Sequence, residues 1–317
     1  MAAKKKPKPT AELFKDMSIT EYHEHNRRLS KSMLQKFSDC PARFDYLYNK
    51  GGEEKSSPSL RLGNLVHLLA LQPELYKQSY HVLPETYTDD KGVKKPFQQR
   101  ITMKSYQDEM LKAGWNPVIK HTKVVGFKPD TGALMTITVA DKEKAEAMAK
   151  SISENAEAKA LLEGDGYVEA SIFFKHEGIP FRCRPDDMKN NGLLNDLKIT
   201  RSNKPGLFQR DAWNFGYHLS VAITAIGYEE LYKTKPDNYT FICVEQEPPY
   251  IVQCYDTFRP FDPVTGLSLY DMGMYELDKI VKRYKECRDN DHWPAYFEGI
   301  EPLGAPAWAV KQMTGGE

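Results

Sequence analysis

The sequence predicts an α/β fold, with a small mixed central β-sheet flanked by helices and a helical N-terminal part. Three observations lead there. Helix-period apolar stripes dominate the first part of the chain. Short strand-like runs cluster between Tyr167 and Ile199 and again between Tyr239 and Thr257. Long helical segments follow each cluster, an alternation that suits a mixed sheet covered by helices.

In chain order, residues 1–17 open with MAAKKKPKPT and are expected to form a disordered basic tail or a DNA-contacting arm. They lack the apolar core of a signal peptide. Ser30 and Ser32 are N-cap residue types ahead of Met33, Leu34 and Phe37. Pro41 divides that helix from one carrying Phe44, Tyr46, Leu47 and Tyr48. Leu62, Leu65, Val66, Leu69 and Leu71 form the stripe of a helix over residues 60–71. Residues 84–101 are polar, with DDKGVKK at the centre, and read as a mobile charged loop or lid.

Residues 103–113 read as helical, 136–139 as a short strand and 141–162 as one or two amphipathic helices; much of 116–140 fits no single pattern. One strand is expected over Tyr167–Lys175, turned by Glu177-Gly178 into Ile179–Arg184, with a third over Leu193–Ile199. One long helix is expected over Leu207–Tyr232, a hairpin over 239–257 turned at Pro248-Pro249, and a helix over Leu267–Arg288. Trp293–Ala309 is expected to pack as an ordered coil. The whole of 18–310 then forms one domain, followed by a flexible C-terminus at 311–317.

Composition narrows the class. Of 317 residues, 40% are hydrophobic and 28% charged, which suits a globular protein. The formal net charge of +0 is compatible with nucleic-acid binding if a local patch supplies the phosphate contacts. Five cysteines, at wide spacing and without a CxxC pair, argue against a zinc ribbon or a disulfide scaffold and for a reducing compartment. No apolar run is long enough to span a membrane.

The chemistry concentrates in FRCRPDDMKNNGLLNDLKIT, residues 181–200. Asp186 is followed by Asp196 and Lys198, and residues two apart on a strand share a face, so Asp196 and Lys198 project together. Two close carboxylates hold a divalent cation and a nearby ammonium positions a water, the equipment for metal-assisted phosphodiester hydrolysis. Glu169 is a charge within the apolar run GYVEASIFF, either facing water from an edge strand or joining the metal site. His67 lies among leucines on GNLVHLLAL, as a core histidine or a ligand. Arg28, Ser30, Lys31 and Ser32 gather at a helix N-terminus, where free N–H groups favour an anion such as a 5′-phosphate.

These elements resemble the PD-(D/E)XK nuclease superfamily, in particular the exonuclease VIII (RecE-type) and phage recombination exonucleases. The resemblance rests on LSKSML with CPARF, then Gly63 with His67, then Arg184-Pro-Asp-Asp187 and Asp196-Leu-Lys198. Gly216-Tyr-His218 and the ending PLGAPAWA complete it, over most of residues 20–310. It implies a Mg²⁺-dependent enzyme, with Mn²⁺ as substitute, that degrades linear double-stranded DNA from 5′ ends and leaves 3′ single strands for an annealing protein. By position, Asp186 and Asp196 would bind metal, Glu169, His67 and the Leu197 carbonyl would complete its shell, and Lys198 would position water or stabilise phosphorane charge. Tyr217 and His218 would contact DNA, although Ser220 stands where relatives often carry Gln. A homo-oligomeric ring, phage-type recombination and the cytoplasm of a bacterial host also follow from the resemblance. An iron–sulfur cluster does not, because Cys287 is the only cysteine beyond Cys254. An endonuclease or CRISPR-adaptation-type nuclease on the same fold, and a non-catalytic DNA-binding recombination module, are the alternatives.

Overall fold

The computed structural model describes residues 11–52, 60–130, 133–261, 264–297 and 299–314. The chain opens with β1 (Ala11–Phe14), a strand inside the stretch expected to be an unstructured tail; residues 1–10 lie outside the described residues. Its alternating apolar residues Leu13 and Ala11 find a sheet edge to pair with, which a tail could not. Then come α1 (Ile19–Glu24), α2 (Lys31–Asp39) and α3 (Pro41–Phe44), which runs into a π-helical turn at Asp45–Asn49. α4 (Leu60–Leu71) has the bounds that its apolar stripe predicts, and α5 (Pro73–Ser79) leads into β2 (Tyr80–Val82).

An insertion follows. β3 (Thr86–Thr88) and β4 (Lys94–Pro96) form a small hairpin within the segment expected to be a mobile loop. α6 (Lys104–Lys112) precedes a second hairpin of β5 (Trp115–Lys120) and β6 (Lys123–Pro129), in the stretch whose sequence fits no single period. Phe97, Tyr106 and Phe127 tie the hairpins to α6, with ring centroids 6.3 and 5.9 Å apart. The chain returns through β7 (Met135–Ile137), paired parallel with β2, so the insertion hangs from a two-stranded neck.

The remaining elements build the core. α7 (Val139–Glu154) is entered through a Thr138/Asp141 capping box and leads to α8 (Ala156–Leu162). β8 (Gly166–Val168), β9 (Ser171–His176), β10 (Ile179–Cys183), β11 (Asp187–Lys189) and β12 (Leu193–Thr200) follow, then α9 (Pro205–Asn214) and α10 (Tyr217–Tyr232). β13 (Asn238–Glu245), β14 (Val252–Asp256), α11 (Leu269–Asp289) and α12 (Ala307–Thr314) complete the chain.

The main sheet runs β14-β13-β12-β11-β8. Only β12 and β13 pair in parallel within it, joined by the crossover through α9 and α10. The mixed sheet flanked by helices is the predicted class. A second sheet, β1-β9-β10, packs beneath α2 and α10. Strand alternation splits β12 between two cores. Leu194 faces the core of α2, α10 and α11, while Leu197 faces the core of α4, α7 and α8.

Three expectations need correction. The strand over 167–175 is two strands in different sheets, because Glu169 adopts the left-handed φ of 55° and turns the chain out of one sheet into the other. The helix over 207–232 is broken at Gly216, whose φ of 63° no helix interior accepts. A Cβ there would sit 2.3 Å from Gln35 Nε2, so glycine also permits the close approach of α2. Of the coil expected to pack over Trp293–Ala309, Trp293 does so, stacked 5.7 Å from Phe44, but Ile300 and Leu303 are fully exposed. α12 covers part of the stretch 311–317, whose remaining residues 315–317 lie outside the described residues.

Candidate active site

The site forms where the β11–β12 hairpin meets α4 and the break after β8. Pro185-Asp186 precedes β11, and the turn through Gly192, at φ 89°, brings β12 back alongside. The Asp186 carbonyl accepts the Glu169 N–H at 2.9 Å, which locks the two carboxylate-bearing segments together. The Asp186 side chain accepts the Leu197 N–H at 2.7 Å, so the hairpin itself aims that carboxylate. His67 Nδ1 reaches in from α4, 3.5 Å from Asp186 Oδ2 and 4.0 Å from Glu169 Oε1.

These three residues each offer one ligand atom, all within 4.8 Å of one another. Their side chains keep exposures of 15–26%, so the cluster opens to ions and solvent. Arg184 orients Glu169, donating from Nε to Oε2 at 2.9 Å and from Nη1 to the Met17 carbonyl at 2.9 Å and the Ser171 hydroxyl at 2.7 Å. The left-handed backbone of Glu169 costs roughly 1–3 kcal/mol, the kind of strain that collects at functional sites.

Asp196 and Lys198 project together from the other face of β12, as their spacing predicts. Lys198 Nζ donates to Asp196 Oδ1 and lies 3.5 Å from the Leu197 carbonyl oxygen. The Tyr239 hydroxyl, on the parallel neighbour β13, donates to Asp196 Oδ2 at 2.8 Å. The Asp196 charge acts directly on the Asp186 carboxyl, so the two faces meet at the aspartates.

The electrostatics follow from burial and from who faces whom. Burial and the neighbouring Asp196 charge push the Asp186 carboxyl well above its usual range. Burial likewise raises Glu169, against the pull of Arg184. For Asp196, burial acts upward but the Lys198 ammonium and hydrogen bonds outweigh it, and the group stays ionised. For Lys198, burial acts downward, but Asp196 and Asp186 hold the ammonium charged. His67 falls to about 4, through burial and the Lys198 charge, and is a neutral imidazole at pH 7. Three carboxyl groups thus converge on one ammonium and one guanidinium, with a neutral imidazole beside them. A donor set of carboxylate oxygens, imidazole nitrogen and a backbone carbonyl fits a divalent cation, which relieves the mutual repulsion of the acids.

Of the residues expected to contact DNA, Ser30, Lys31 and Ser32 line one concavity of about 190 Å³ with Arg182, Arg184 and Asp196. The Ser30 and Ser32 hydroxyls are 3.2 Å apart. Lys31 stands over the Tyr217 ring at 5.5 Å, and Lys198 over the same ring at 5.1 Å. Arg28 instead covers the Phe173 ring at 4.7 Å. His218 turns away from the carboxylates: its Nε2 meets Glu276 Oε2 at 2.8 Å and its ring stacks on Trp213 at 4.3 Å. Ser220, on the same helix, lines the concavity. Asp187, beside Asp186 in sequence, is buried on Asn195 and holds the sheet.

Arg182, Arg184 and Tyr239 also belong to the site, beyond the residues expected from the sequence. A signal existed for the arginines: two guanidinium groups alternating in the apolar run FRCR cannot be buried without partners. Tyr239 carried none, since its partner lies on another strand far along the chain.

The family model for a PDDEXK-like domain of unknown function (DUF3799) matches residues 30–305. The chain belongs to this PDDEXK-like family. Pro185-Asp186 and Asp196-Leu197-Lys198 supply the motif for which the family is named, and the domain therefore has a nuclease architecture. Its fold is similar to a crystal structure from Eubacterium rectale, a protein named as a candidate exonuclease, with TM-score 0.54 at 10% identity, over 95% of this chain and 99% of that one. At that identity the similarity establishes the fold of the PDDEXK-like domain alone. The comparison with curated proteins finds no match. Among the described residues, no helix is long and apolar enough to cross a membrane.

Proposed function

We propose that this PDDEXK-like domain is a metal-dependent exodeoxyribonuclease that hydrolyses phosphodiester bonds of linear double-stranded DNA. The observation that carries the reading is the convergence of His67, Glu169 and Asp186 within 4.8 Å, with Asp186 tied through the Leu197 N–H to the strand that bears the Asp196–Lys198 pair. A divalent cation, Mg²⁺ in the first place with Mn²⁺ as substitute, supplies Lewis-acid polarisation of the phosphoryl group when bound. His67, Glu169 and Asp186 would hold it, with Asp196 and the Leu197 carbonyl adjacent.

The chain's own groups have distinct parts. Lys198 remains an ammonium at the pH of the reaction, so it is no general base; its charge stabilises the negative charge that develops on the phosphorane. Asp196 fixes that ammonium, and Tyr239 fixes Asp196. Arg184 holds Glu169 in place. Ser30, Lys31 and Ser32 face Arg182 across the concavity, a hydroxyl and cation set for a terminal 5′-phosphate. Lys31 is pulled down to about 8 by burial and by Lys198, and an anion between the two ammonium groups would relieve both.

Digestion from 5′ ends, leaving 3′ single strands for an annealing partner in phage-type recombination, extends this reading, as does a homo-oligomeric ring around the duplex. The assay uses linear duplex labelled at either 5′ or 3′ ends, and covalently closed circular duplex, with Mg²⁺ or EDTA. Early release of the 5′ label from linear DNA, survival of the circle and complete inhibition by EDTA are expected. Equal attack on the circle would replace the exonuclease with an endonuclease, and activity in EDTA would remove the metal. Equal rates on phosphorylated and unphosphorylated 5′ ends would remove the phosphate role of Ser30, Lys31 and Ser32.

A further inference from the structure

The insertion between β2 and β7, residues 83–134, contains nine Lys or Arg and six Asp or Glu, an excess of three positive charges in a chain whose total is zero. Its second hairpin, residues 115–129, holds three lysines and no Asp or Glu. Elsewhere in the insertion cations are met by local acids: Glu109 is engaged by His81 at 2.7 Å and Lys112 at 2.5 Å. Lys95 pairs with Asp89 at 2.6 Å. Lys120, Lys123 and Lys128 on the second hairpin are exposed, and among the described residues none of them meets a carboxylate within ion-pair distance.

The tip of that hairpin violates the local rules of sheet stability. Lys120 and Lys123 are direct cross-strand partners, and like charges placed opposite each other destabilise a ladder. The two residues between them, His121 and Thr122, take φ of 47° and 66°, a turn geometry that Asn and Gly adopt far more readily. Ile119, beside Lys120, is 65% exposed. A tight hairpin that presents three lysines at the cost of its own stability is shaped for a binding partner.

The insertion is also tied to the catalytic layer. β2 and β7 contribute Tyr80, Val82 and Ile137 to the same core as Leu65, Val66 and Leu197, so the neck rests on the layer that bears His67.

We infer that the insertion is a clamp for the phosphate backbone of duplex DNA, gripping it through Lys120, Lys123 and Lys128 at a surface separate from the metal cluster. The clamp rests on the nuclease reading for its substrate. Charge neutralisation of this kind is independent of sequence and releases counterions, so it contributes affinity that falls steeply with salt. The partner of opposite kind, an anionic lipid surface, is the less favoured: the exposed apolar residues of the hairpin are Val118, Ile119 and Val125, on strands and not on an amphipathic helix.

The test measures anisotropy of a fluorescent duplex in EDTA, where binding is read without cleavage, across a series of salt concentrations. The full chain is compared with the triple variant K120A/K123A/K128A. Loss of three phosphate contacts should weaken binding at least about tenfold at low salt and reduce the slope of log K against log salt by about 2.7. Thermal unfolding controls for folding, and the variant should be as stable as the parent or more so, because the Lys120–Lys123 repulsion is gone. Parent-like affinity and slope in the folded variant would overturn the clamp while leaving the nuclease reading intact. Failure of the parent chain to bind any duplex would overturn both. Binding of the hairpin lysines to phosphatidylserine vesicles but not to DNA would assign the surface to a membrane and overturn the clamp. Should the triple variant unfold, the charge-reversed single variant Lys123→Glu provides the same reading at one position.

Discussion

At the scale of single residues, the site works because each charge has a named neighbour. Lys198 is charged because two aspartates outweigh its burial. Lys198→Ala should therefore reduce Mg²⁺-dependent digestion by at least ~10²-fold while leaving metal binding by the His67 cluster measurable; digestion at the parental rate would remove Lys198 from the chemistry. Tyr239→Phe deletes one donor to Asp196 Oδ2. The loss should cost about 1–2 kcal/mol of stability in a urea titration and lower kcat about tenfold with little change in KM. A change confined to KM would mean that Tyr239 acts on binding. Asp186, Asp196 and Lys198 were legible in the sequence because strand periodicity alone places Asp196 and Lys198 on one face. Tyr239 was not, because its role depends on the parallel register of β12 with β13, where Leu194 opposes it. Periodicity does not encode which strand becomes a neighbour.

At the scale of elements, two breaks decide the architecture, and both are local backbone conformations hidden inside regular patterns. Glu169 interrupts an apolar run that reads as one strand, and Gly216 interrupts a stretch that reads as one helix. Neither is marked by proline, so the pattern continues through them. The second break sets His218 at the start of α10, buried against Glu276 of α11 under Trp213. Burial lowers the His218 pKa below its ordinary 6.5, with Lys31 acting in the same direction and Glu276 opposing. The folded chain then binds fewer protons at this site than the unfolded chain. The resulting contribution is complete above pH 6.5 and is lost as pH falls from there through the depressed folded value. Thermal midpoints should fall between pH 7 and 5, and His218→Asn should flatten that slope; an identical slope in the variant would place the effect elsewhere.

At the scale of the whole molecule, the converging acids make the fold dependent on what it binds. Asp186 and Glu169 are raised by burial and by the Asp196 charge, so a cation that neutralises them favours the folded state over the unfolded one. Titration with Mg²⁺ or Mn²⁺ should raise the unfolding midpoint, by about 2.7 kcal/mol of stability at a hundredfold excess over Kd, and Asp186→Asn should abolish the rise. An unchanged midpoint in the parent would argue that the cluster holds no metal. The nuclease class was legible at this scale through the order of its motifs. The insertion was visible only as a polar, lysine-rich interval, because its hairpins are too short and too exposed to print an apolar period.

The neck of that insertion has a consequence for how such a chain can change. Tyr80, His81 and Val82 lie in parallel beside Met135, Thr136 and Ile137, so the chain leaves one end of the pair and must re-enter at the other. A tight turn cannot make that connection; parallel neighbours need a crossover of about a dozen residues or more. The intervening cassette can therefore be exchanged for another long enough to cross the pair, but not trimmed to a bare turn, which sets a floor on how far evolution, or the engineer, can shorten it.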